Sequence, residues 1–195
     1  MEKIKLNIIK NKSLDKIIKL SNGLFVARES ECLKLFEIKN SKINHICWSQ
    51  KLPWPPLSIL ELKDKNIISS GRKFISIFEL KNNKFNLIEL KNISSGELLK
   101  IIQLENEKII ISSIMGELIL MKKKNKKYEI KQIIYVKRFH DIEYLTENKM
   151  LLIEYNMDFN ALNRTVNKTD ISILYFSKEK IEKHPLVYLM FLLCP

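Results

Sequence analysis

A near-constant internal period constrains this chain more than anything else in it. Leucines at 20, 62, 104 and 145 each open a short polar turn followed by an apolar run, in steps of 42, 42 and 41 residues. The second copy is the clearest. It reads Leu62-Lys63-Asp64-Lys65-Asn66, then Ile67-Ile68-Ser69-Ser70-Gly71, then Phe74-Ile75-Ser76-Ile77-Phe78-Glu79-Leu80. A period of this size marks a repeat architecture, in which each unit buries its faces against its neighbours.

Each copy divides into four short strands joined by polar turns. The expected strands are 17–20, 24–28, 32–38 and 43–48 in the first copy, and 58–62, 67–70, 74–80 and 85–90 in the second. The third copy has 99–104, 109–114, 118–122 and 128–136, and the fourth 142–145, 150–155, 171–175 and 181–190. These runs are rich in Ile, Leu, Phe and Tyr, which fit a pleated surface. Asn22-Gly23 supplies the positive φ of a hairpin turn, and no stretch sustains an apolar 3.6-residue period. Four meandering strands in about 42 residues match a propeller blade.

The expectation is therefore an all-β, propeller-type array of about four four-stranded antiparallel blades. It fills residues 1–195 as one array, with blades at 14–50, 57–94, 98–137 and 140–190 and an extra N-terminal strand at 3–9. Because 181–190 already takes the fourth slot of the last blade, the N-terminal strand has no slot there. An incomplete ring is expected, with self-association through its open blade faces.

The pattern resembles a degenerate WD40 repeat. Ser69, Ser70, Ser112 and Ser113 fall where that family has small residues on the second strand. Phe36-Glu37 and Phe78-Glu79 stand in place of its Trp-Asp, as do Met121-Lys122 and Tyr175-Phe176 in the other copies. No copy carries a true Trp-Asp or a Gly-His, and His140-Asp141 is about two residues out of register with the family spacing. The resemblance implies a non-catalytic scaffold that binds a protein or peptide, and not an enzyme. Blades held by apolar packing then replace the family's polar hydrogen-bond set.

Composition adds exclusions. The net charge is +12, from 34 Lys and Arg against 22 Asp and Glu. Such a balance suits a basic, nucleic-acid-associated protein as the alternative. Against it, only four of the basic residues are arginines, at 28, 72, 138 and 164, and arginine is the residue of bidentate phosphate and base recognition. A second alternative is a fragment of a larger propeller-containing protein. The lysines at 122–124, 126 and 127 fall on a hairpin end, where solvation explains them.

Cys32, Cys47 and Cys194 give neither a disulfide framework nor a metal pair. That usage and the lack of a signal-peptide pattern suit a cytoplasmic or nuclear setting. The eight-residue apolar run 186–193 is far short of the about 20 residues needed to span a membrane.

His45, His140 and His184 lie in different copies with no ligand-spaced companion, so no metal, no cofactor and no catalytic residue is expected. Asp64, Glu105 and Glu147 occupy equivalent turns and are expected to be solvated. The irregular segments 49–57 and 157–169 carry the residues expected to touch a protein partner: Trp48, Trp54, Phe159 and Arg164, all of hot-spot type. In a meander both segments fall at the end holding the second turns and the blade-to-blade links.

Overall fold

A computed structural model describes residues 15–104, 107–125, 127–137, 139–146, 149–157, 166–176 and 181–185. They form sixteen strands and no helix, so none is long and apolar enough to cross a membrane. The first sheet holds β1 (Asp15–Lys19), β2 (Phe25–Glu29), β3 (Cys32–Lys39) and β4 (Lys42–Trp48). The second holds β5 (Ser58–Glu61), β6 (Ile67–Ser70), β7 (Phe74–Lys81) and β8 (Lys84–Asn92). In the third are β9 (Leu98–Gln103), β10 (Lys108–Ser113), β11 (Glu117–Lys124) and β12 (Lys127–Tyr135). In the fourth are β13 (Phe139–Thr146), β14 (Lys149–Met157), β15 (Val166–Phe176) and β16 (Ile181–Pro185). Every sheet runs in chain order and antiparallel, so each is a propeller-type blade, as the period requires. The expected strand at 3–9 and the run 186–193 lie outside the described residues.

The chain forms two compact units, residues 1–91 and 92–195, each holding two blades. In the first unit Val26, Leu33 and Leu35 of one blade pack against Ile59, Ile67 and Phe78 of the next. In the second, Ile110, Leu118 and Leu120 meet Ile142, Met150, Leu152 and Leu174. Each fully buried side chain of this kind contributes roughly 1.5–3 kcal/mol.

Burial explains the strand sequences. Every residue of β6 and of β10 is buried, so these second strands are packed on both faces and read Ile-Ile-Ser-Ser and Lys-Ile-Ile-Ile-Ser-Ser without alternation. The serines keep the strand ends thin, and in β6 Ser69 Oγ lies 2.6 Å from Ser76 Oγ. The fourth strand β8 alternates strictly between exposed and half-buried positions, as an edge strand open on one face does.

Three of the anchor leucines share one device. The N–H of Leu20 donates to Leu24 O (2.8 Å), that of Leu62 to Asn66 O (2.7 Å) and that of Leu104 to Lys108 O (2.8 Å). Each closes its hairpin while its side chain is buried. Leu145 departs from the pattern. The β13–β14 register shifts between Tyr144 and Thr146, and Leu145 stands 46% exposed. One extra residue in a strand pair turns a side chain to the opposite face.

Two glycines with positive φ separate two costs. Gly23 (φ 88°) faces open space, whereas a Cβ on Gly116 (φ 83°) would clash with the carbonyl oxygen of Val136. Gly23→Ala should cost about 1 kcal/mol, the strain of left-handed backbone alone. Gly116→Ala should cost at least about 1 kcal/mol more, because backbone must also move. Denaturant midpoints of the two variants measure the difference, and equal midpoints would refute it.

Candidate functional site

Ionisable side chains gather where the first strands of the second unit face each other. On β13, Ile142 is fully buried in the core. The alternation of a strand therefore sends Asp141 and Glu143 to the other face together. Lys100 reaches them from β9. Its Nζ lies 3.3 Å from Asp141 Oδ1 and donates also to Glu143 Oε1. Asp141 Oδ1 accepts the N–H of Ile142 as well, at 2.8 Å, which fixes the carboxylate.

The three side chains are 33%, 48% and 55% exposed, so the cluster is open to solvent. Burial pulls the Lys100 ammonium down, but the hydrogen bonds and charges of Glu143 and Asp141 outweigh it and hold its pKa above the ordinary lysine value. The result is a fixed cation beside two acceptors. Such a set can polarise a carbonyl oxygen and take a proton from water.

A second polar group lies in the same unit and is closed rather than open. Glu117, at the start of β11, is 7% exposed. Ser94 Oγ donates to its Oε2 and Ser95 Oγ to its Oε1 (3.1 Å). Burial alone would raise its pKa, yet the hydrogen bonds from Ser94, Ser113 and Ser95 hold it below the usual glutamate value. A carboxylate held ionised and enclosed is a poor base. Its evident work is to tie residues 94 and 95, ahead of β9, to blade three.

Of the residues expected from sequence to touch a partner, Trp48 lies on β4 and is 43% exposed. Lys34 Nζ sits 4.7 Å from its ring centroid and the His45 ring 5.1 Å away. Trp54 packs its Cβ against Gly71, and the Arg72 guanidinium lies 5.0 Å from its ring. A narrow, mostly apolar cleft runs beneath it between Leu52, Phe74 and Leu90. Phe159 and Arg164 lie outside the described residues.

Asp64 caps its own turn through Asn66 N (3.1 Å), a structural role. Among the described residues no cluster of three His, Cys, Asp or Glu could hold a metal. Cys32 and Cys47 are free, with thiols pushed up by burial, so neither is a ready nucleophile. The lysine run is partly neutralised: Lys123 faces Glu107 at 3.7 Å and Lys124 faces Glu129 at 3.6 Å.

Sequence reading missed Lys100, Asp141, Glu143 and Glu117. The available signal was the Asp-Ile-Glu alternation at 141–143, two carboxylates on one strand face.

No protein-family model matches the sequence, and neither does any curated protein. Solved structures do match in fold. One is a candidate 6-phosphogluconolactonase from Bacteroides uniformis, with a TM-score of 0.63 and 12% identity; the match covers 87% of this chain and 55% of that one. Another is a protein from Lactobacillus plantarum, with a TM-score of 0.59 and 5% identity, covering 86% of this chain and 69% of that one. This chain thus spans about half the length of the first.

The likeness corrects the family expected from sequence: the first match is a lactonase-type protein, not a WD40 ring. The features that carried the WD40 resemblance are demands of tight blade packing in general. Ser69 and Ser70 are small because β6 is packed on both faces, and Phe36 and Phe78 are aromatic because they fill the core while Glu79 is solvated. The expectation of a non-catalytic scaffold and not an enzyme is corrected, since the first match is a candidate enzyme.

The Glu117 cradle gives a pH signature. A folded pKa held below the unfolded value, about 4.3, contributes stability that is fully present above that value and is lost as pH falls through the folded pKa. Glu117→Gln should therefore cost about 1–2 kcal/mol at pH 7. The gap from wild type should close as pH falls from the unfolded value through the folded pKa. Urea midpoints across that range test it; a gap that stays constant would exclude the carboxylate as its source.

Proposed function

We propose that this chain hydrolyses the ring ester of a lactone, with Lys100, Asp141 and Glu143 as the reacting set. The observation that carries the reading is the ammonium of Lys100 on β9 held by two solvent-open carboxylates, Asp141 and Glu143, both on β13. The fold likeness to a candidate 6-phosphogluconolactonase supports the substrate class, a sugar-acid lactone.

The chemistry asks for two groups. Water attacks the lactone carbonyl carbon while a carboxylate, Asp141 or Glu143, takes its proton. Negative charge develops on the carbonyl oxygen, and the Lys100 ammonium stabilises it. Collapse of the tetrahedral intermediate breaks the bond to the ring oxygen, which takes up the proton the carboxylate carries. The product is the open hydroxy acid, and the balance is lactone plus water. With its pKa held up by its neighbours, Lys100 stays charged through neutral and mildly alkaline pH, so no loss of rate from Lys100 is expected there.

A pH-stat assay on glucono-δ-lactone and its 6-phosphate, read against the spontaneous rate in buffer, tests the proposal. Lys100→Met should lower kcat/KM by about 100-fold, and the double change Asp141→Asn with Glu143→Gln by at least about 100-fold. A wild-type rate equal to that of buffer, or variants as fast as wild type, would refute it.

A further inference from the structure

Glu154 has no part in the chemistry above, yet no charged side chain among the described residues is more deeply buried, at 2% exposure. It follows Met150 and Leu152 along β14, and those two belong to the core between blades three and four. Strand alternation thus turns the Glu154 carboxylate toward the end of that core. Its Oε1 accepts the N–H of Lys137 at 3.0 Å, and its Oε2 pairs with Lys183 Nζ from β16. Desolvating a carboxylate costs more than an ion pair usually returns, and an apolar side chain of the same size often serves stability as well. The placement therefore needs an account other than stability.

What Glu154 holds is the link into β13. The N–H of Val136 donates to Gly116 O at 2.7 Å, and the next N–H, that of Lys137, goes to Glu154. Two successive backbone groups are thus pinned four or five residues before Asp141. Along the β13–β14 pair, residue 140 lies opposite Glu154 and Asp141 opposite Ile153. The chain leads from there into β13, which carries Asp141 and Glu143 to Lys100 on β9.

We propose that Glu154 is a positioning residue: by holding the Lys137 N–H it sets where Asp141 and Glu143 stand relative to Lys100. This rests on reading that cluster as the reacting site, and a misplacement of about 1 Å is enough to cost a large factor in rate.

Two variants separate the acceptor from mere packing. Glu154→Gln keeps an oxygen for Lys137, whereas Glu154→Met fills the same space without one; Glu154→Leu replaces the latter if it does not fold. The first readout needs no substrate. Titration of Lys100 Nζ by NMR, assigned with Lys100→Met, should show its pKa falling toward the ordinary lysine value in Glu154→Met and staying up in Glu154→Gln. The second is kinetic: kcat on the lactone should drop about tenfold in Glu154→Met with KM within about twofold, and Glu154→Gln should recover most of it. If the Lys100 titration is the same in both variants, the proposal is overturned. If the titration separates them while wild type fails to hydrolyse any lactone, the positioning role stands and the lactonase reading falls.

Discussion

Burial of the second strands β6 and β10 on both faces is the constraint from which most of the two middle blades follows. A strand enclosed on two sides can carry no charge without a partner and no side chain too long for the gap between layers. In β6 that leaves only isoleucine and serine, all four residues buried. Apolar packing is then sufficient to join one blade to the next within each unit. Neither Ser69 nor Ser76 is left unsatisfied, because each has the other's hydroxyl within hydrogen-bond reach.

The same constraint sends ionisable groups to the strand edges and the links. Each link the structure describes is tied to a neighbouring blade by a side chain acting on backbone or hydroxyl groups. The Arg28 guanidinium donates to Pro56 O at 3.0 Å and holds the link between the first two blades. Glu117 accepts from Ser94 and Ser95 in the link ahead of blade three, and Glu154 from Lys137 in the link ahead of blade four. Blades are thus set by shape, and links by charge-assisted hydrogen bonds, which are stronger than neutral ones. The Lys100 cluster sits beyond both, at an open edge where charge is cheap.

Legibility in the sequence followed the same division. The sixteen strands and their four-by-four grouping were readable because double-sided burial writes itself as apolar runs at a fixed period. Leu20, Leu62 and Leu104 behave alike for that reason. Leu145 does not, because a register shift is decided by hydrogen bonding across the pair, and the Leu at the right spacing carries no sign of it. The site was less visible. Lys100 and Asp141 are 41 residues apart, about one repeat, so only the stacking of blades brings them together. In a chain with 34 lysines and arginines, one more lysine draws no notice. The aromatic residues that did draw notice have partners of their own: Trp48 has Lys34 and His45, and Trp54 has Arg72.

The family misreading has the same physical root. In the second blade the small Ser69 and Ser70 and the aromatic Phe78 are all buried, so those positions report packing and carry no information about activity. Function in such an array has to be sought where packing relaxes. Within the second unit packing relaxes at the edge of β9 and β13, where Asp141 and Glu143 alternate with the buried Ile142, and it is there that the proposed lactone chemistry is put. A repeat protein can alter these edge positions one at a time without disturbing the layers beneath. Blades of nearly the same length and composition can therefore carry an ionic cluster in one pair and, as with Ser21 and Glu61 in the other, a simple hydrogen-bonded tie.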